Sequence, residues 1–119
     1  MSDIKIYGHP ISPNVNVATS VAKYLKVQYE FVLIDIFSGK NKEEAYLSKQ
    51  PNGLVPLLED GDFRLAESAS IAKYLCEVAG SDIYPKEVNS RATVDMHIGI
   101  LNDLRTALSK VVSLLVIGP

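Results

Sequence analysis

Ile4-Lys5-Ile6-Tyr7-Gly8-His9-Pro10-Ile11-Ser12-Pro13-Asn14-Val15 is the stretch that decides the fold. Its first residues alternate with the period of a short strand, and Gly8-His9-Pro10 stops it. Beyond Ser12-Pro13, the apolar residues Val15, Ala18, Val21, Ala22 and Leu25 recur at helical spacing. Pro13 suits the first turn of a helix, where its missing N–H costs nothing, so Ser12 falls at or just before the helix N-terminus. Residues 28–34 begin as an alternation and end in Val32-Leu33-Ile34, the pattern of a buried strand. Strand, helix and strand at these lengths make a βαβ unit, which favours a parallel pair joined by a right-handed crossover.

Outward from that unit, the polar run 38–44 leads to a short helical piece at 45–49. Residues 54–59 and 63–66 read as strands flanking Asp60-Gly61, a dipeptide with a strong hairpin bias. Pro56 sits near the start of the first of these, where proline is tolerated. From Ser68 a helical pattern returns through Ile71, Ala72, Leu75 and Val78, ending at Gly80. The order β-α-β, short α, β-β-α predicts a small mixed sheet with helices packed on it, an α/β domain spanning residues 1–80. Residues 81–88, with Pro85, read as a linker. A second helical stretch runs from Asn89 to about Lys110, with Val94, Ile98, Leu101, Leu104 and Leu108 on one stripe. Residues 111–117 are apolar all round before Gly118-Pro119, and such a tail needs a partner.

The 119 residues suffice for one domain, or one domain and the fragment of a second. With 47% apolar and 22% charged residues the chain is too apolar for disorder. A formal charge of −2 with scattered Lys and Arg argues against nucleic acid and against an anionic membrane surface. No apolar run reaches the length of a membrane span, and residues 1–5 lack the apolar core of a signal peptide. One cysteine, Cys76, excludes an internal disulfide and a Cys-x-x-Cys pair, and with only His9 and His97 besides, no zinc cluster can be assembled. A reducing, cytoplasmic setting fits best.

Ser12 can be read as a helix N-cap or as a hydroxyl at the positive end of a helix dipole, placed to donate to an anion. His9 lies three residues earlier, but with no acid placed to orient it a Ser–His hydrolase is a poor fit. Glu67-Ser68 opens the later helix, again either as a cap or as a pair that binds a ligand carrying both ammonium and carboxylate. Lys40 and Lys42 lie in a charged loop, ordinarily a solvated face. Val55-Pro56 is open to a cis peptide, and Cys76 falls on the apolar side of its helix, as core.

These signals occur in one order: Ser12, the run Pro51-Asn52-Gly53-Leu54-Val55-Pro56, and Leu57-Leu58-Glu59-Asp60-Gly61-Asp62-Phe63-Arg64-Leu65-Ala66-Glu67-Ser68. Together they resemble the N-terminal domain of cytosolic glutathione transferases of the serine type, the phi and theta classes. Gly8-His9-Pro10-Ile11-Ser12 with Asn14 also resembles the phi-class opening. The resemblance covers about the first 80 residues. It implies a thioredoxin-like fold with a mixed four-stranded sheet, followed by one long helix of a truncated all-helical domain over residues 89–119.

The resemblance further implies a glutathione transferase that conjugates glutathione, a co-substrate rather than a cofactor, to a hydrophobic electrophile, and that works as a homodimer. Ser12 falls at the family's catalytic hydroxyl. Asn41 and Lys42 fall where the family holds the glycine carboxylate, Asn41 replacing a common histidine. Leu54 and Val55 occupy the pair before the cis-proline, Pro56, where the Val55 backbone pairs with the cysteinyl unit. Leu54 departs from a frequent polar residue, which removes one side-chain contact. Glu67 and Ser68 match the pair at the γ-glutamyl end, and Asp103 resembles an acid that reaches the neighbouring subunit's glutathione in related dimers. The alternatives are a transferase-like module of the translation-factor type that serves protein contacts, or a short form that binds glutathione with little turnover.

Overall fold

Ser12 caps the first helix through its own side chain: Oγ accepts from the Val15 N–H at 3.3 Å, and Pro13 follows as the first helical residue. The computed structural model in which this is seen describes residues 3–116 and 118. In chain order the elements are β1 (Ile4–Gly8), α1 (Pro13–Tyr24), β2 (Glu30–Leu33), α2 (Glu44–Leu47), β3 (Leu57–Asp60), β4 (Phe63–Ala66), α3 (Ser68–Val78) and α4 (Val88–Val116), with two short 3-10 turns at Ile36–Ser38 and Lys40–Lys42. The chain forms two compact units, Met1–Ser81 and Asp82–Pro119.

In the first unit the four strands form one sheet in the order β2-β1-β3-β4. β1 and β2 run parallel, as the βαβ reading requires, while β1–β3 and β3–β4 are antiparallel. The sheet is mixed, and the thioredoxin-like α/β expectation holds. Strand alternation divides the apolar residues between two faces. One carries Ile4, Ile6 and Leu58 against Ala18 and Ala22 of α1 and Ile71 and Leu75 of α3, all buried. The other carries Tyr7 and Leu57 against Tyr46 of α2. Gly8 makes the first packing possible. A Cβ there would stand 2.5 Å from Val15 Cγ2, so the start of α1 lies against β1 at a distance no other residue allows. Cys76 is buried, as its place on the apolar side of α3 predicts.

Two boundaries differ from the periodicity. β3 begins at Leu57 rather than residue 54: Pro56 has no N–H for the ladder, Val55-Pro56 is a cis peptide, and the Leu54 carbonyl is bonded to Tyr46 instead of to a strand. The hairpin loop is Gly61-Asp62, with Asp60 paired to Phe63.

In the second unit α4 runs unbroken through Val116, past the expected end near Lys110, so the apolar residues 111–116 are helical; Ile117 and Pro119 of that tail lie outside the described residues. Glu87 caps α4 by accepting from the Asn89 and Ser90 N–H groups at 2.7 and 3.0 Å, and those bonds hold its carboxyl below the usual range. Arg91 donates to the Pro85 carbonyl at 2.7 Å and stacks over Tyr84, whose hydroxyl donates to Asp95. Leu101, Leu104, Leu108, Val111, Val112 and Leu115 are exposed along the helix.

Below the Tyr7 cluster, the same sheet face carries a buried charge. Glu59, only 8% exposed, accepts from Tyr7 Oη at 2.6 Å, Lys49 Nζ at 2.8 Å and Arg64 Nε at 2.9 Å. Burial pulls its pKa upward, but the bonds from Lys49, Tyr7 and Arg64 outweigh it and hold the carboxyl at about 2. A folded pKa below the unfolded value stabilises the protein fully above the unfolded value, and the gain disappears as pH falls through the folded one. From the ordinary 4.5 down to about 2, the Glu59 contribution of about 3 kcal/mol is therefore expected to vanish. Urea unfolding at a series of pH values checks this. Glu59→Gln should be less stable than the wild type at pH 7 and should lose less on acidification; parallel pH dependences for the two proteins would refute the assignment.

Candidate functional site

The strand register gathers the candidate residues of the first unit at one end of the sheet. Gly8, the last residue of β1, pairs with Leu33 at the end of β2, and its neighbour Tyr7 pairs with Leu57 at the start of β3. Leu57 in turn pairs with Ala66 at the end of β4. The segments that leave this end are therefore 9–12 before α1, 34–42 after β2, 53–56 before β3, and Glu67 with Ser68, the first residue of α3. They contain Ser12, Asn41, Lys42, Leu54, Val55, Pro56, Glu67 and Ser68. Asp103 belongs to the second unit, on α4.

At the first corner, the Ser12 N–H donates to the His9 carbonyl at 3.0 Å and Ser12 is half-buried. Because Oγ accepts from Val15, the hydroxyl proton is directed elsewhere, so capping leaves the group its donor function. His9 is otherwise engaged: Nδ1 accepts from the Ile11 N–H at 3.1 Å, and the ring meets Phe37 edge-on at 5.2 Å. It is a turn histidine, as its position beside Pro10 predicts. Ile11, Phe37 and Leu54 expose apolar side chains on these segments.

The loop before Pro56 is fixed by side chains from two earlier segments. Asn41 Nδ2 donates to the Gly53 carbonyl at 2.8 Å. Tyr46 Oη donates to the Leu54 carbonyl at 2.7 Å, and Gln50 Nε2 reaches the same oxygen at 3.4 Å. Burial raises the Tyr46 pKa well above the usual phenol, which keeps it a donor. Gln50 Oε1 accepts from the Asn52 N–H at 2.8 Å, and the Gly53 N–H donates to the Gln50 carbonyl at 2.9 Å. Gly53 itself has φ +65°, and a Cβ on it would meet the Asn41 backbone oxygen at 2.9 Å and Lys42 Nζ at 3.0 Å. Among the described residues, the Val55 backbone N–H and C=O have no hydrogen-bond partner.

At the last corner a single residue separates β4 from α3. Glu67 takes φ 74° and ψ 117°, outside the regions open to most side chains, and makes no capping bond through its carboxylate. Ser68 is buried as the first residue of α3, while Glu67 is exposed. The capping reading is met in part: Glu67 occupies the N-cap position with its charge at the start of α3, but its side chain makes no capping hydrogen bond. The residues that hold this end together without being legible as such are Tyr46, Gln50 and Gly53. The Asn52-Gly53 dipeptide marks a turn, but nothing local in Tyr46 or Gln50 signals bonds that cross four to eight residues.

Comparison with known proteins agrees with this fold. The family model for the glutathione S-transferase N-terminal domain matches residues 2–77. Glutathione S-transferase F9 of Arabidopsis thaliana is 34% identical over 101 residues, covering 82% of this chain and 46% of the relative. A glutathione S-transferase of Silene vulgaris is 45% identical over 73 residues, 60% of this chain and 33% of the relative. The chain thus spans between a third and just under half of these curated relatives. Among solved structures, a glutathione transferase homologue of Drosophila mojavensis with bound glutathione superposes with a TM-score of 0.90 at 31% identity, covering 96% of this chain and 54% of that one. Glutathione transferase F7 of Populus trichocarpa gives 0.85 at 26% identity, with 98% and 57% covered.

Proposed function

The chain belongs to the glutathione S-transferase family, and on that premise we propose that it binds glutathione, stabilises the thiolate through Ser12, and conjugates it to electrophilic small molecules. The observation that carries this reading is the state of Ser12: a hydroxyl at the N-terminus of a twelve-residue helix, its oxygen already accepting from Val15 and its proton left to donate. A free thiol of pKa about 8.5 is only about 3% ionised at pH 7. Lowering that value by about two units, a preference of roughly 2.7 kcal/mol for the anion, makes it mostly thiolate. A charge-assisted hydrogen bond together with a helix N-terminus is of that size. The thiolate then attacks the electrophilic carbon, a C–S bond forms, and the leaving group departs with the bonding pair. Ser12 stabilises the anion and is not itself a nucleophile.

In this reading the rest of glutathione lies along the sheet end. Glu67 and Ser68 take the γ-glutamyl ammonium and carboxylate, the latter at the start of α3. The unpartnered Val55 backbone pairs with the cysteinyl unit beside Leu54 and Pro56, and the turn of Asn41 and Lys42 lies against the glycine end. Asp103 is assigned to the ligand by resemblance alone. The exposed Ile11, Phe37 and Leu54 support an apolar electrophile, the exposed apolar residues of α4 support a second copy as partner, and the single cysteine suits a reducing, cytoplasmic setting.

Two variants test the reading. Ser12→Ala should raise the pKa of bound glutathione, followed as thiolate absorbance against pH, with little loss of affinity; an unchanged profile would leave Ser12 a helix cap only. Glu67→Gly removes both the carboxylate and the unfavourable φ. It should melt no lower than the wild type yet bind glutathione about tenfold more weakly in calorimetry. Equal affinity would remove Glu67 from the site.

A further inference from the structure

One side chain joins the turn at Lys40–Lys42 to the loop before Pro56. Asn41 Nδ2 donates to the Gly53 carbonyl at 2.8 Å across a sequence separation of 12 residues, in a half-buried setting. The next carbonyl along, that of Leu54, is held by Tyr46 and Gln50. Both carbonyls that precede Val55 are thus tied down, while the N–H and C=O of Val55 itself, like the Leu54 N–H, have no hydrogen-bond partner among the described residues. Beside the strut, Lys42 Nζ lies 3.0 Å from the point where a Gly53 Cβ would stand, and among the described residues Lys42 forms no ion pair.

Resting on the glutathione reading above, we propose that Asn41 is a positioning residue rather than the group that binds the glycine carboxylate. Its amide is a strut that sets the Gly53-Leu54 loop and so aims the Val55 backbone, and Lys42 alone keeps the glycine-end role that the reading above gave to both. The chemistry of the two side chains divides the work in this way. One Asn41 N–H is committed to Gly53, and what remains, a second N–H and an acceptor oxygen, offset each other toward an anion. Lys42 carries a full charge and three donors beside the same loop. The family position that commonly holds a histidine is therefore occupied here by a residue that acts on the loop.

Calorimetry with two ligands separates the roles: glutathione, and γ-glutamylcysteine amide, which stops before the glycine and bears no C-terminal charge. Asn41→Ala should weaken both by the same factor, about fivefold, the size of one neutral hydrogen bond. Lys42→Ala should weaken glutathione about tenfold, as expected for a charge-assisted contact, and leave the amide unchanged. A loss at Asn41→Ala confined to glutathione overturns the proposal, because a strut cannot sense the glycine. A wild-type chain that binds neither ligand overturns the glutathione reading itself, a distinguishable result. The side-chain amide resonances of Asn41 in the unmutated chain give the same answer without a variant. Equal perturbation by both ligands supports the strut, and a shift with glutathione alone refutes it.

Discussion

The approach of α1 to β1 at Gly8 is the constraint on which the rest of the first unit depends. With a Cβ placed 2.5 Å from Val15 Cγ2, any other residue would drive the helix start away from the strand. Without one, the chain turns through His9, Pro10 and Ile11 within hydrogen-bonding reach of itself: the Ser12 N–H donates to the His9 carbonyl and Asn16 Nδ2 to the Pro10 carbonyl. Ser12 is consequently delivered to the end of β1, at the edge from which three other connections leave. The parallel partner β2 brings one of these, and the antiparallel β3 and β4 bring the others. A single missing methyl thus fixes where the helix dipole points relative to the sheet.

Polar groups in this unit fall into two populations. Inside, they are paired: among the described residues no buried side-chain nitrogen or oxygen lacks a partner, and even the charge of Glu59 is met by donors from β1, β4 and the segment after α2. At the sheet end the balance differs. The Ser12 proton, the Val55 backbone, the Glu67 carboxylate and the Lys42 ammonium are all left without a hydrogen-bond partner among the described residues. The four belong to different connections, 9–12, 34–42, 53–56 and the step from β4 into α3, that leave the same end of the sheet.

How much of this could be read from the sequence follows the range of each interaction. The helical spacing of Val15, Ala18 and Ala22, the cap at Ser12-Pro13 and the Asp60-Gly61 hairpin signal are local, and they gave the order of elements along the chain and the helix positions closely, but not the order of strands in the sheet. β3 was predicted three residues early because alternation cannot tell a strand from an extended loop whose carbonyl is claimed by Tyr46. Local sequence leaves Ser12 open between a cap and an anion donor, and only its place in a recurring order of motifs favours the second role. The Asn41–Gly53 bond and the Lys49 and Tyr7 bonds to Glu59 span 12, 10 and 52 residues, so no local period signals them. The extension of α4 to Val116 has a simpler origin: an apolar run without proline or glycine is equally compatible with helix and strand, and here the preceding helix continues through it.

Glu67 shows the cost of the rim most directly. β4 ends at Ala66 and α3 begins at Ser68, so one φ/ψ pair must carry the chain from a strand into a helix whose first residue is buried. That geometry requires φ 74°, which costs a side-chain-bearing residue on the order of 1–3 kcal/mol. Glycine would meet the geometric demand with less strain, and the Ile71 N–H would still find the residue-67 carbonyl that it bonds at 2.9 Å. Nothing in the packing calls for a glutamate here: the side chain is exposed and caps nothing. What the glutamate alone adds is a negative charge at the sheet end from which four connections leave. The proposed glutathione reading gives that charge a use, as the partner of the γ-glutamyl ammonium, beside the favourable term any carboxylate has at a helix start.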